Sequence, residues 1–403
     1  MTRIRFDAKQ RNPQGPLLFV IKILSAISAL FLIQKVLEVC GQELWLQIAT
    51  LQTIAIMLSP LIQLHWSKFG GITLLKNAKS NHAKIVFRSI TSRLIVLSVV
   101  NIFMIYLISE FFDRNRFGIL YSAFFFASST ALSNEWYFLA KSDFKRFFLL
   151  ESVPRFVCTC LPLIFIQTTS QLTILFASLA FVNVGTSVAI LKVAERKSYE
   201  EIIDEHSGHE KGKYIALQFV VFALLFSPVP LVNYFNFEDK FQFTIMERFL
   251  RLFMTAALPV TQLVHSQILN SPIMITISRK WYRRSKLFAV GIIVFYIPSA
   301  LFFLVITKAI NLYGSQIFMF LLFGVLIMVI FTNRIIEEIF VLNLNDMSLI
   351  NRMQFQTLII LFTFFAISIV LRSSDILLVS LMITELCRLL LMRKRLILKG
   401  IIT

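Results

Sequence analysis

Seven charged residues, Lys22, Lys35, Glu247, Arg248, Arg251, Glu385 and Arg388, lie within or at the ends of long apolar stretches. A charge at mid-bilayer costs roughly 2.5–3.5 kcal/mol even on the lenient insertion scale, so it persists mainly where it faces a wet or polar interior. The chemistry on offer is the holding of an anion inside a membrane, with no bond made or broken. Arginine suits phosphate because its planar fork presents two donors to two oxygens. Glu247 and Arg251 are four apart, one above the other on a helix, and can pair. Arg248 and Arg251 then form a cationic wall held by Glu247, or the three form a snorkelling interfacial cluster. Lys22, about one and a half turns into its stretch, either snorkels or receives the anion at loading. Lys35, beside Glu38, reads as an anchor at the outward end. Glu385 and Arg388, three apart in LLVSLMITELCRLLLMRK, lie closest to mid-membrane. They read as an internal ion pair, or as a pair that a proton or sodium ion resets so that a cation gradient drives a cycle. Arg334, Glu337 and Glu338 read as a gate or structural network. Gln47, Gln52 and Gln63 punctuate one apolar stretch, and Gln262 and Gln267 another. Their amides suit sugar hydroxyls, although helix–helix contact is the commoner use in membranes.

The elements that must position these side chains are membrane-spanning helices. The chain is 57% hydrophobic and 15% charged, with a mean hydropathy of +0.76. Soluble domains are nearer half apolar and a quarter charged. Stretches long enough for about 30 Å of hydrocarbon, which takes about 20 helical residues, recur near 16–36, 44–65, 87–109, 117–140, 153–170, 171–192, 214–234, 242–268, 287–308, 315–341, 355–372 and 375–393. The expected architecture is therefore all-α, with about twelve spans. With an inward N-terminus, the inward segments carry roughly 28 Lys and Arg against about 5 on the other side, as the positive-inside rule requires. Both termini are then inward. The net charge of +18 follows from this topology and calls for no nucleic-acid partner. The polar, basic start, MTRIRFDAKQRNPQGP, runs straight into the first span and is not the pattern of a cleavable signal.

The stretch Lys192 to Lys213 is the longest polar one, and it divides the chain into two halves of about six spans beginning on the same face. The expected domains are a first lobe over 1–192, a linker over 193–213 and a second lobe over 214–403. That is a parallel repeat about an axis along the membrane normal, a known transporter plan. His206 and His209 in the linker lack supporting ligands and read as solvated, so no metal is expected. Cysteines at 40, 158, 160 and 387 make no disulfide framework. There is no GxxxxGK[ST] phosphate loop and no glycine- and aromatic-rich filter. No large outward loop carries paired carboxylates or an activated nucleophile. An enzyme, whether glycosyltransferase or polymerase, is thereby disfavoured, and no cofactor is implied.

Glu135-Trp136-Tyr137-Phe138 closes one span, a short basic turn follows, and Pro154-Arg155 opens the next. This layout resembles the fourth and fifth spans of Wzx-type polysaccharide flippases, the lipid-linked oligosaccharide translocases of the multidrug/oligosaccharidyl-lipid/polysaccharide exporter superfamily. VCGQELWLQIATLQTIAIMLSPLIQL is similar to that family's first outward turn and second span. FTIMERFLRLFMTAALPVTQLVHSQI is similar to its eighth, with an early basic residue, a mid-helix proline and a glutamine after it. The chain departs from the family in being short and poor in glycine and proline, with 12 and 10 residues. The resemblance implies a V-shaped, two-lobed bundle in the bacterial cytoplasmic membrane that turns a polyprenyl-diphosphate oligosaccharide to the outer leaflet. On that reading Lys22, Arg248, Arg251, Gln52 and Gln262 meet the substrate, while Glu247, Glu385, Arg388 and Glu135 couple or gate. A proton or sodium ion is a candidate coupling partner, and a polymerase and glycosyltransferases are candidate neighbours. A secondary transporter of small solutes or drugs is the rival reading on the same architecture.

Overall fold

A computed structural model of the chain describes residues 15–77, 81–192, 208–237, 239–269, 275–285, 287, 291, 294, 296, 314–344, 347–371 and 374–401. The basic first fourteen residues, His206 with most of the linker, and most of the expected ninth span lie outside them. Fourteen helices carry the argument: α1 (Gly15–Gln63), α2 (Trp66–Lys76), α3 (His82–Phe111), α4 (Phe117–Ser129), α5 (Glu135–Lys141), α6 (Phe144–Phe147), α7 (Val153–Leu163), α8 (Thr169–Ala189), α9 (Gly208–Phe226), α10 (Pro228–Tyr234), α11 (Lys240–Leu269), α12 (Gly314–Leu344), α13 (Met347–Leu371) and α14 (Ser374–Leu398). A further helical stretch covers 275–285. The described residues contain no strand, and the all-α expectation holds.

The two spans expected over 16–36 and 44–65 are joined by a single non-helical residue, Gly41, with φ 70° and ψ 176°. A straight helix of 49 residues would separate its ends by about 70 Å. Instead Leu18 and Ile21 share one apolar cluster with Trp66, against which Leu64 also packs. The chain therefore doubles back at Gly41. That backbone region is essentially restricted to glycine, which is why VCGQE turns there.

The middle of α3 is apolar on the outside, and its buried face carries Arg93 and Asn101. Ile95, Val99, Ile102, Phe103 and Tyr106 are exposed, whereas Ser89, Arg93, Leu97, Asn101, Met104 and Ile108 are buried. The helical period puts Arg93, Leu97, Asn101, Met104 and Ile108 on one stripe. A soluble helix would show the reverse, so this face pattern marks lipid outside and a polar bundle within. α3, α1 and the run 169–192 are each long and apolar enough to cross a membrane unaided. α9 and α10 make a further candidate span, bent by 46° where Pro228 starts the second piece.

One expected span is interrupted, and another starts from a π-helical turn. The one expected over 117–140 stops at α4, passes through a tight turn at Thr130–Leu132 and restarts as α5. The one expected over 153–170 is preceded by a π-helical turn at Phe148–Ser152. The QTTSQ turn is a capping box: Gln171 N–H donates to the Thr168 hydroxyl at 3.4 Å and Thr168 N–H to the Gln171 side chain at 3.1 Å. Two helix-end donors are satisfied reciprocally, so the chain can restart a helix after a short gap.

α2 lies between the spans expected over 44–65 and 87–109. Its Gly70 lies so close to Trp136 on α5 that an added Cβ would stand 2.7 Å from the indole ring. Gly70→Val should therefore lower stability by about 1–3 kcal/mol through overpacking. The thermal midpoint in detergent checks this, and an unchanged midpoint would refute the close fit.

Candidate functional site

The break between α4 and α5 leaves carbonyls at the end of one helix and N–H groups at the start of the next. Each set meets the charge that suits it. Arg93 donates to the carbonyls of Leu132 (3.2 Å) and Ser133 (2.9 Å) and to Asn134 Oδ1 (2.5 Å). Glu151, in the π-helical turn, accepts from Asn134 N–H at 2.9 Å and from the Ser133 hydroxyl at 2.8 Å. Asn134 donates onward to the Ser187 carbonyl at 3.0 Å. Arg93 and Glu151 are each only 1% exposed, so this break is fixed.

What the break positions is Glu135, the first residue of α5. Its carboxylate lies 2.9 Å from Lys22 Nζ on α1 and accepts from Gln262 Nε2 on α11. Lys22 is 8% exposed, so its ammonium is held inside the protein. One carboxylate thus ties the first limb of α1 and α5 to a helix from the second half. This latch lies at the end of the bundle that carries the basic loops.

A second set of contacts joins the halves nearer the other end. Arg248 donates to the Ala49 carbonyl and, at 3.4 Å, to the Thr53 hydroxyl. Arg251 reaches the same hydroxyl at 3.3 Å and pairs with Glu247. Asn233 Nδ2 donates to the Thr50 hydroxyl at 2.8 Å. The guanidinium of Arg251 also lies 4.7 Å from the centre of the Phe226 ring.

A third set lies within the second half. Arg388 is 3.0 Å from Glu337 and 3.7 Å from Glu385. Glu337 also meets Arg334 at 3.3 Å, and Glu385 accepts from Asn333 Nδ2 at 2.5 Å. The i,i+3 pair read from the sequence therefore has a nearer carboxylate from α12, which spacing within α14 alone does not reveal.

Two cavities connect these sets. One of about 360 Å³ lies between the halves and is lined by Gln63, Ser67, Arg93, Glu135, Gln218, Gln262, His265, Arg334 and Glu337. The other, of about 420 Å³, lies mainly in the second half. Its lining combines Phe226, Phe243, Phe323 and Phe331 with Glu247, Arg251, Arg334, Glu385 and Arg388. Thr261 and Arg334 line both. Each cavity holds arginines beside carboxylates, an arrangement suited to exchanging ion pairs with a charged ligand.

Of the residues expected from sequence, Glu135 and Gln262 line the first cavity. Glu247, Arg251, Glu385 and Arg388 line the second. Lys22 stands behind Glu135, and Arg248 lies in the seam. Gln52 is half-buried on α1 and is not among the residues lining either cavity. Lys35 meets Glu38 at 3.1 Å, and Gln267 accepts from Trp281 Nε1 at 3.0 Å. Sequence reasoning missed Arg93 and Glu151. The available signal was an arginine inside the 87–109 stretch and a glutamate three residues before Pro154. Among the described residues no cluster of three or more His, Cys, Asp or Glu has metal-binding geometry.

No protein-family model and no curated protein matches the chain. Solved structures do match in fold over nearly the whole length. A MATE transporter in complex with MaD5 is 12% identical, with a TM-score of 0.60 over 95% of this chain and 96% of that one. An outward-facing multidrug resistance MATE family transporter of the MOP superfamily is 11% identical, with a TM-score of 0.58 over 95% of each chain. The Vibrio cholerae MATE transporter VcmN in its bent form is 15% identical, with a TM-score of 0.56 over 94% and 96%. At these identities the likeness is one of fold. The chain has the two-lobed, multi-pass architecture of those transporters, with about twelve spans.

Proposed function

We propose that this chain is an alternating-access flippase that carries the anionic, sugar-bearing head group of a polyprenyl-diphosphate-linked oligosaccharide across the bacterial cytoplasmic membrane. The observation that carries this reading is the cavity between the halves. It combines Arg334, beside Glu337 and Glu135, with side chains suited to sugar hydroxyls (Gln63, Ser67, Gln218, Gln262). The hydrocarbon tail stays in lipid while only the head group enters. Lobes over 1–192 and 214–403, joined by the linker 193–213, rock about this cavity with both termini cytoplasmic. A ligand equal in affinity for both states shifts nothing, so directional flipping needs a coupled proton or sodium ion or removal of product. Glu135 and Glu385 are the carboxylates proposed for that coupling. A polysaccharide polymerase and glycosyltransferases are the proposed neighbours in one assembly sequence.

A second reading, export of an amphiphilic small solute, is favoured by one observation. The cavity of the second half is walled by four phenylalanines.

The test is translocation of a fluorescent polyprenyl-diphosphate oligosaccharide in proteoliposomes under an imposed ion gradient, with ethidium uptake measured alongside. We expect protein-dependent flipping that falls at least about tenfold in Arg334→Gln, the loss of about 1.4 kcal/mol of transition-state stabilisation. Ethidium transport without flipping of any lipid-linked sugar would establish the second reading instead.

A further inference from the structure

The seam between α1 and α11 is sealed by an imbalance. Arg248 is 9% exposed, and the charged groups acting on it are Arg251 and Glu247. Glu247 is already paired with Arg251. Arg248 is satisfied instead by the Ala49 carbonyl and the Thr53 hydroxyl, and Arg251 leans on that same hydroxyl. Two guanidinium groups are thus buried against one carboxylate and a set of neutral acceptors, all of the latter from the opposite half. Among the described residues, the buried Arg251 Nη1 has no hydrogen-bond partner.

A buried guanidinium is held more strongly by an ionised acceptor than by a neutral one. We propose that Arg248 and Arg251 serve two states in turn: in the closed seam they donate to Ala49 and Thr53, and in the open seam the same donors bind a phosphate or diphosphate. The site is an anion subsite that exists only when the halves part at the end away from the basic loops. An anion there would bind the open state more tightly, because in the closed state Nη2 of each arginine is occupied by Ala49 and Thr53. That differential affinity is what lets a ligand shift a two-state equilibrium. Free diphosphate and a lipid-borne diphosphate share this chemistry. The inference rests on the alternating-access reading but not on the identity of the cargo.

Spin labels on Phe111→Cys and Tyr234→Cys, in a background with the four native cysteines changed to serine, report on the seam. Both positions are exposed, at 75% and 82%, near the outward end of opposite halves. The probes are inorganic diphosphate and farnesyl diphosphate, with protein in lipid nanodiscs. We expect either probe to convert a minor long-distance population into the major one. Thr53→Val should raise that population without any ligand, because both guanidiniums lose an acceptor. The pair Arg248→Gln with Arg251→Gln should lose the response to both probes, whatever its starting distances. An undiminished response in the glutamine pair would overturn the inference, as would native distances in Thr53→Val. A response to farnesyl diphosphate alone assigns the subsite to a lipid-borne anion, and a response to both assigns it to diphosphate in general. A responsive seam in protein that flips no lipid-linked sugar would retain this inference and remove the proposed cargo.

Discussion

Glu337→Gln is expected to destabilise the protein by about 3–5 kcal/mol, the cost of removing one partner from a buried charge network. Glu337 is 5% exposed and holds Arg388 at 3.0 Å and Arg334 at 3.3 Å. Without it, Arg388 retains, among the described residues, only Glu385 as an ion-pair partner, at the longer distance of 3.7 Å. Glutamine keeps the shape and some hydrogen bonding but leaves the positive charges uncompensated. The check is the fraction of monodisperse protein surviving a heat step in detergent. A second substitution, Arg388→Gln, should recover part of the loss, since residues in one network couple. A Glu337→Gln stability within about 0.5 kcal/mol of wild type, the usual effect of an ordinary surface change, would mean that the network is not a structural one.

The second large effect concerns the latch at the basic end. Reversing either charge alone, Lys22→Glu or Glu135→Lys, replaces an ion pair now at 2.9 Å with two like charges facing each other. Like charges so close, and shielded from water, cannot both be tolerated, and α1 must part from α5. Transport in proteoliposomes should fall at least about tenfold in each single variant, which takes only about 1.4 kcal/mol. The double reversal should restore much of it, because the pair is rebuilt with its polarity exchanged. Equal loss in the double and single variants would show that Glu135 acts through its own chemistry, such as proton binding, and not through Lys22. Gln262 sharpens the comparison: its amide donates to Glu135 and cannot donate in the same way to a lysine.

Both predictions show what was legible in the chain. Apolar length and the alternation of basic loops gave the number of crossings and the all-α class, because bilayer thickness constrains helix length directly. The Glu247–Arg251 pair was legible because four residues span about one helical turn. Glu337 with Arg388, Lys22 with Glu135 and Arg248 with Ala49 were not. Each joins elements distant in sequence, the second across 113 residues, and no local period encodes such a distance. The break that sets Glu135 was also hidden. Its sequence, SSTALSNEW, has no glycine or proline and reads as continuous helix until Arg93 and Glu151 are seen to satisfy the freed backbone groups. Gln52 marks the opposite limit: a polar residue within a span does not by itself identify the face it occupies.

Gly41 bears on how the chain is made. A reversal of one residue leaves no polar loop to wait in water while the second limb follows, so the two limbs of α1 enter the bilayer as one hairpin. Lys22 enters with them, yet Glu135 is synthesised 113 residues later. In the interval the ammonium is held near the basic end only by its long stem reaching back to the headgroups. The arrival of the fourth span draws it inward, so the first latch of the finished protein is also a late step in its assembly.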